Sequence, residues 1–112
     1  MRLNSEIKDG IAIVTLSGKL VFDTAVILRE EVRKRLDTGI KRFIFNLSGI
    51  SYCDSAGCGE LIDIFSAVGK VAGAVAFLKP TERVHGLWTR IRLTDIFKIF
   101  DTMEEAEAFF RH

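Results

Sequence analysis

One short segment, Asp54-Ser55-Ala56-Gly57, does most to limit how this chain can fold. It follows the apolar, aromatic-rich run Phe43-Ile44-Phe45-Asn46-Leu47, which reads as a strand covered on both faces. It opens a helical pattern from about Gly57 to Val68, with Leu61, Ile64, Phe65 and Val68 inward and Gly69 at the end. A strand that feeds a helix cannot return as a tight hairpin. The next strand is expected to pair in parallel with it, after a right-handed crossover. The segment also sets a hydroxyl beside a carboxylate at the mouth of a helix.

The rest of the chain repeats that unit. Leu3, Ser5 and Ile7 alternate with polar residues, the period of a half-buried strand. Asp9-Gly10 signals a hairpin turn, and Ile11 to Leu16 forms the second strand, ended by Ser17-Gly18. Residues 19 to 23 are a connection. Thr24 caps a helix whose apolar stripe is Ala25, Leu28, Val32 and Leu36, with Gly39 as its stop. Ala74 to Leu78 is another buried strand. Pro80-Thr81 starts a third helix on Val84, Leu87, Trp88 and Ile91, and Ile96 to Phe100 is a last edge strand. Thr102-Met103-Glu104-Glu105 has the capping-box pattern. Met103, Ala106 and Phe110 face inward there, so Phe109 and Phe110 cannot both be covered. The expected fold is α/β: a single mixed β-sheet with helices, in the order β-β-α-β-α-β-α-β-α, as one domain over residues 1–112.

Composition excludes several classes. A 48% hydrophobic content is too high for disorder. The net charge is +1 with acids and bases interspersed, so no basic stripe offers itself to nucleic acid. No apolar run approaches the roughly 20 residues of a membrane span. The polar start, Met1-Arg2-Leu3-Asn4-Ser5-Glu6, shows no signal peptide, which places the chain in the cytoplasm with Cys53 and Cys58 reduced. Two cysteines and the distant His85 are too few for a zinc site, and no metal is expected. Burial preference makes both cysteines small core thiols, although Cys58 near a helix N-terminus has the setting of a redox-sensitive group. Gly57 and Gly59 do not make a glycine-rich phosphate loop, so no nucleotide cofactor is expected.

Three roles fit Ser55. Either Asp54 or Ser55 could be a simple N-cap. Ser55-Ala56-Gly57 also resembles half of a nucleophile elbow, but Cys53 stands where its first glycine belongs. A serine hydrolase further needs a base, and only His85 and His112 are available. The third role is phosphorylation. A helix N-terminus tolerates a new dianion, while a partner docked over it would not.

The residues Ile50-Ser51-Tyr52-Cys53-Asp54-Ser55-Ala56-Gly57-Cys58-Gly59, with Leu16-Ser17-Gly18-Lys19-Leu20 and the tail Leu93-Thr94-Asp95-Ile96-Phe97, resemble the STAS domain of sulphate transporters and anti-sigma factor antagonists. The resemblance covers nearly the whole chain. It implies a non-catalytic, phospho-switchable anti-anti-sigma factor. Unphosphorylated Ser55 binds an anti-sigma factor that is also a GHKL-type serine kinase, phosphorylation releases it, and a PP2C-type phosphatase resets the switch. On that reading Val21, Phe22, Asp23 and Thr24 join Asp54, Ala56, Gly57 and Gly59 as the partner surface. The two glycines keep that surface low. The family often has an acid directly after its glycine-x-aliphatic element, where this chain has Val21 and Phe22 before Asp23, so Phe22 would offer an apolar contact. A constitutive STAS scaffold, in a stress-signalling assembly or a lipid or anion transport complex, is the alternative implied by the same resemblance.

Overall fold

The structure, a computed structural model, describes residues 1–111; His112, considered above as a base, lies outside the described residues. Strands β1 (Arg2–Lys8), β2 (Ile11–Leu20), β3 (Arg42–Cys53), β4 (Ala74–Leu78) and β5 (Lys98–Phe100) form one sheet in the order β1-β2-β3-β4-β5. The β1–β2 pair is antiparallel and the others are parallel. Helices α1 (Phe22–Asp37), α2 (Ser55–Lys70), α3 (Glu82–Arg90) and α4 (Met103–Phe109) complete the expected mixed-sheet order. Asp9 and Gly10 take positive φ of 54° and 78°, as the hairpin turn requires.

Strand alternation sorts the core into two layers. Ala12, Val14, Leu16, Phe43, Phe45, Leu47, Val75 and Phe77 face α1, α2 and α3. Ile11, Ile13, Ile44, Ala76 and Leu78 face α4 through Ala106. Sequential strand order with crossovers of one hand puts α1, α2 and α3 on the same face. Trp88 is fully buried there, edge-on to Phe77 and Phe97 at 5.3 and 5.1 Å between ring centroids. Its core role stands.

The structure corrects several boundaries. Ser17-Gly18 does not end β2. The strand passes through two register shifts, with Gly18 at φ 99°, and continues to Leu20 beside Cys53. β3 likewise runs to Cys53 rather than stopping at Leu47. Thr24 is not the N-cap of α1; Val21 is, because the longer β2 starts the helix earlier. Ile91 and Ile96 are exposed, at 47% and 51%. A 3-10 turn at Leu93–Asp95 buries Leu93 and Phe97 in their place and shortens β5. Phe109 and Phe110 both pack, since α4 ends at Phe109 and the chain turns. Phe109 meets Phe100 at 5.4 Å and Phe110 at 5.0 Å, and both are half-buried.

Candidate functional site

The two strand extensions build the site. Leu20 pairs with Cys53 at the parallel ends of β2 and β3, so α1 and α2 begin side by side. The Asp54 N–H donates to the Leu20 carbonyl at 3.3 Å and ties the two entrances together. At the α1 entrance, the Thr24 hydroxyl accepts from the Val21 N–H at 3.0 Å and donates to the Lys19 carbonyl at 2.7 Å. Thr24 therefore holds the loop without capping the helix in the expected way.

At the α2 entrance the roles of Asp54 and Ser55 separate. Asp54 is the N-cap, and its Oδ1 accepts from the Gly57 N–H at 2.8 Å. Ser55 is the first helical residue. It is exposed, and among the described residues its hydroxyl has no hydrogen-bond partner. His85 is also exposed and lies outside the groove that Ser55 lines, so among the described residues no histidine shares that groove with Ser55.

Gly57 is buried, so it does not lower the surface as expected from the sequence. A Cβ there would lie 2.1 Å from the Leu20 carbonyl oxygen and 3.0 Å from Cys53 Sγ. Only glycine lets the first turn of α2 sit this close to the end of β2. Gly59 is half-buried, and a Cβ added there would meet nothing within 4 Å.

Two grooves meet along Gly59. One, of about 600 Å³ between α2 and α3, is lined by Tyr52, Asp54, Ser55, Ile62, Arg83 and Arg90. The other, of about 540 Å³ between α1 and α2, is lined by Phe22, Asp23, Val26, Ala56, Gly59 and Asp63. Phe22 is 78% exposed at its rim. Phe22, Asp23, Ala56 and Gly59 thus share a groove, while Asp54 and Ser55 face the neighbouring one. Val21 and Thr24 are half-buried supports.

Sequence reasoning missed Tyr52, Ile62, Arg83 and Arg90. Ile62 was within reach, because residues 55, 59 and 62 follow helical spacing. Arg83 and Arg90 are also seven apart, but only the packing of α3 shows which groove they line. Arg83 lies 5.1 Å over the Tyr52 ring. An ion pair between an exposed arginine and a buried glutamate was missed as well. Arg29 Nε and Nη2 both donate to Glu60 Oε1, at 2.9 and 2.7 Å, and Glu60 is only 5% exposed. That hydrogen bond and the Glu60 charge raise the Arg29 pKa.

Cys53 and Cys58 are free and buried, with their sulfurs 3.5 Å apart. Their shared hydrogen bond splits their acidity. The Cys53 thiol is pushed up by its hydrogen bond with Cys58 and by burial. Cys58 is lowered by the same bond, against the opposing effect of its burial, and the nearby Trp88 indole also favours its thiolate. Among the described residues no group of His, Cys, Asp and Glu has the makings of a metal site. No helix among them is long and apolar enough to cross a membrane.

This sheet order, with a capped aspartate-serine entrance to α2, defines a class of domain. The model of the STAS domain matches residues 2–106, and the chain belongs to that family. It is similar to a candidate anti-sigma factor antagonist of Thermotoga neapolitana, 34% identical over 71 residues, which is 63% of each chain. A crystal structure of a candidate anti-sigma factor antagonist from Thermotoga maritima superposes with a TM-score of 0.92 at 25% identity, over 98% of this chain and 95% of that one. The anti-sigma factor antagonist SpoIIAA in its unphosphorylated form shares the fold, with a TM-score of 0.76 at 22% identity over 98% and 96% of the two chains.

Proposed function

We propose that this protein is a phospho-switchable antagonist of an anti-sigma factor. One observation carries the reading. Asp54 supplies the helix cap, which leaves the Ser55 hydroxyl exposed and without an internal partner. Ser55 is therefore not needed to hold the fold and is free to accept a phosphoryl group.

The unphosphorylated face presents Phe22, Asp23, Ala56 and Gly59 beside Asp54 and Ser55. It binds an anti-sigma factor that is also a serine kinase with a GHKL-type ATP site. The kinase transfers the terminal phosphoryl group of ATP to Ser55 Oγ, and the hydroxyl proton leaves. Phosphoserine carries about −1.5 to −2 charges at neutral pH. The α2 N-terminus accommodates that charge within the domain. A docked partner meets it next to the Asp54 carboxylate, where desolvation and repulsion cost several kcal/mol unless a cation answers them. The complex separates, and a PP2C-type phosphatase resets Ser55. The protein itself supplies no catalytic group. Sigma-factor-dependent transcription in a bacterial cytoplasm is the output.

The names of the relatives support the general role. The deciding experiment is a pull-down from source-cell lysate with ATP, using wild type, Ser55→Ala and Ser55→Asp as baits. Capture of a GHKL-type kinase by Ser55→Ala but not by Ser55→Asp, with phosphate on wild-type Ser55, is the expected result. Identical partners on all three baits, with Ser55 unmodified, would replace the switch with a constitutive scaffold.

A further inference from the structure

We propose that Cys53 and Cys58 are a redox modification site, closing a reversible intramolecular disulfide across the entrance of α2 when a small peroxide reaches them. The inference is independent of the role given to Ser55.

Geometry comes first. The sulfurs are already 3.5 Å apart, and a disulfide needs about 2.05 Å, so the gap to close is about 1.5 Å. Cys53 ends β3 and Cys58 lies in the first turn of α2, separated only by Asp54-Ser55-Ala56-Gly57. No Cβ at Gly57 intrudes beside Cys53 Sγ. Rotation of the two side chains and a small shift of the first helical turn bring the sulfurs together.

Access and chemistry agree. Both cysteines are only 4% exposed, yet both line the groove between α2 and α3, which admits a molecule the size of hydrogen peroxide. The two thiols are unequal, as an attacking and a resolving cysteine should be. The Cys58 thiolate attacks one peroxide oxygen, the O–O bond breaks, and hydroxide leaves. Cys58 becomes a sulfenic acid. The Cys53 sulfur then attacks Cys58 Sγ, the S–O bond breaks, and the departing oxygen takes the Cys53 proton and leaves as water. Two electrons pass from the thiol pair to the peroxide, which is reduced to hydroxide and water.

The bridge would fix the turn that carries Ser55 from both ends. That gives a readout separate from the mass change, because amides 54–58 should exchange more slowly with solvent. The test exposes reduced wild type, Cys53→Ser and Cys58→Ser to hydrogen peroxide, blocks remaining thiols and measures intact mass. Wild type should lose two hydrogens per chain, form no link between chains, and recover both thiols with dithiothreitol. Neither variant should show that loss. Titration against glutathione buffers should give one two-electron transition in wild type and none in the variants. Persistent free thiols, addition of oxygen to Cys58 without a bridge, or linkage between two chains would each overturn the proposal.

Discussion

Gly57 and Gly59 stand two residues apart in one helix, and a methyl group at each should have opposite effects. At Gly57 the new carbon would lie 2.1 Å from the Leu20 carbonyl oxygen, a backbone atom at the end of a paired strand. It cannot swing aside as a flexible side chain would. Gly57→Ala should cost about 3 kcal/mol or more, at the upper end of overpacking penalties. At Gly59 the carbon meets nothing within 4 Å, and alanine is the better helix former. Gly59→Ala should stabilise the fold by about 0.4–1 kcal/mol. Thermal denaturation of both variants checks the pair. In the sequence the two glycines look alike, because helical spacing does not reveal which strand end lies behind a residue. The sequence marks Ser55 as a hydroxyl at a helix mouth, but its separation from the cap is visible only once Asp54 is seen bonded to Gly57.

At the scale of elements, one side-chain hydrogen bond caps the entrance of α2 and one ion pair spans its seam with α1. Asp54→Ala removes the acceptor for the Gly57 N–H and should cost about 1 kcal/mol, with helix content fraying first at residues 55–58. Urea unfolding and hydrogen exchange measure the two parts. Arg29 answers the buried Glu60 carboxylate across the helix interface. Arg29→Met should lower the melting temperature clearly, because it strands a buried charge, and should do so less in a Glu60→Gln background. Equal effects in both backgrounds would mean that the pair contributes nothing specific. Helical periodicity made α1, α2 and α3 legible, and the uninterrupted run at Ala74–Leu78 made β4 legible to the residue. The ends of β2 and β3 were not. Ser17-Gly18 and Ser48-Gly49 carry the composition of a break, yet both lie within paired strands, where Ser17, Gly18 and Gly49 are ladder partners and Ser48 falls at a register shift. Gly49 faces Leu16 and Ser17 too closely for any side chain, with a Cβ position 2.8 Å from the Leu16 carbonyl oxygen. That constraint belongs to strand pairing, which a one-dimensional pattern does not contain.

For the whole molecule, the central demand on a phospho-switch is that the charge change the surface and spare the fold. Ser55 is the first residue of α2 and is exposed, so a negative charge there meets the positive end of the helix dipole. Asp54, one residue earlier, adds like charge, but its carboxylate is turned to the Gly57 N–H. The dipole term is typically about 0.3–1 kcal/mol and falls with salt, and exposed repulsion between neighbouring carboxylates is screened in the same way. Ser55→Asp should therefore unfold within about 1 kcal/mol of wild type, with the small difference shrinking as salt is raised. Ser55→Ala should match wild type as well, since no internal bond to the hydroxyl is lost. Matched urea curves at low and high salt, beside binding assays on the same preparations, separate the outcomes. Loss of binding by Ser55→Asp with its stability intact places the effect at the docking surface. Loss of binding accompanied by several kcal/mol of destabilisation would instead mean that the charge disrupts the α2 entrance, and the exposed hydroxyl would not be a workable switch.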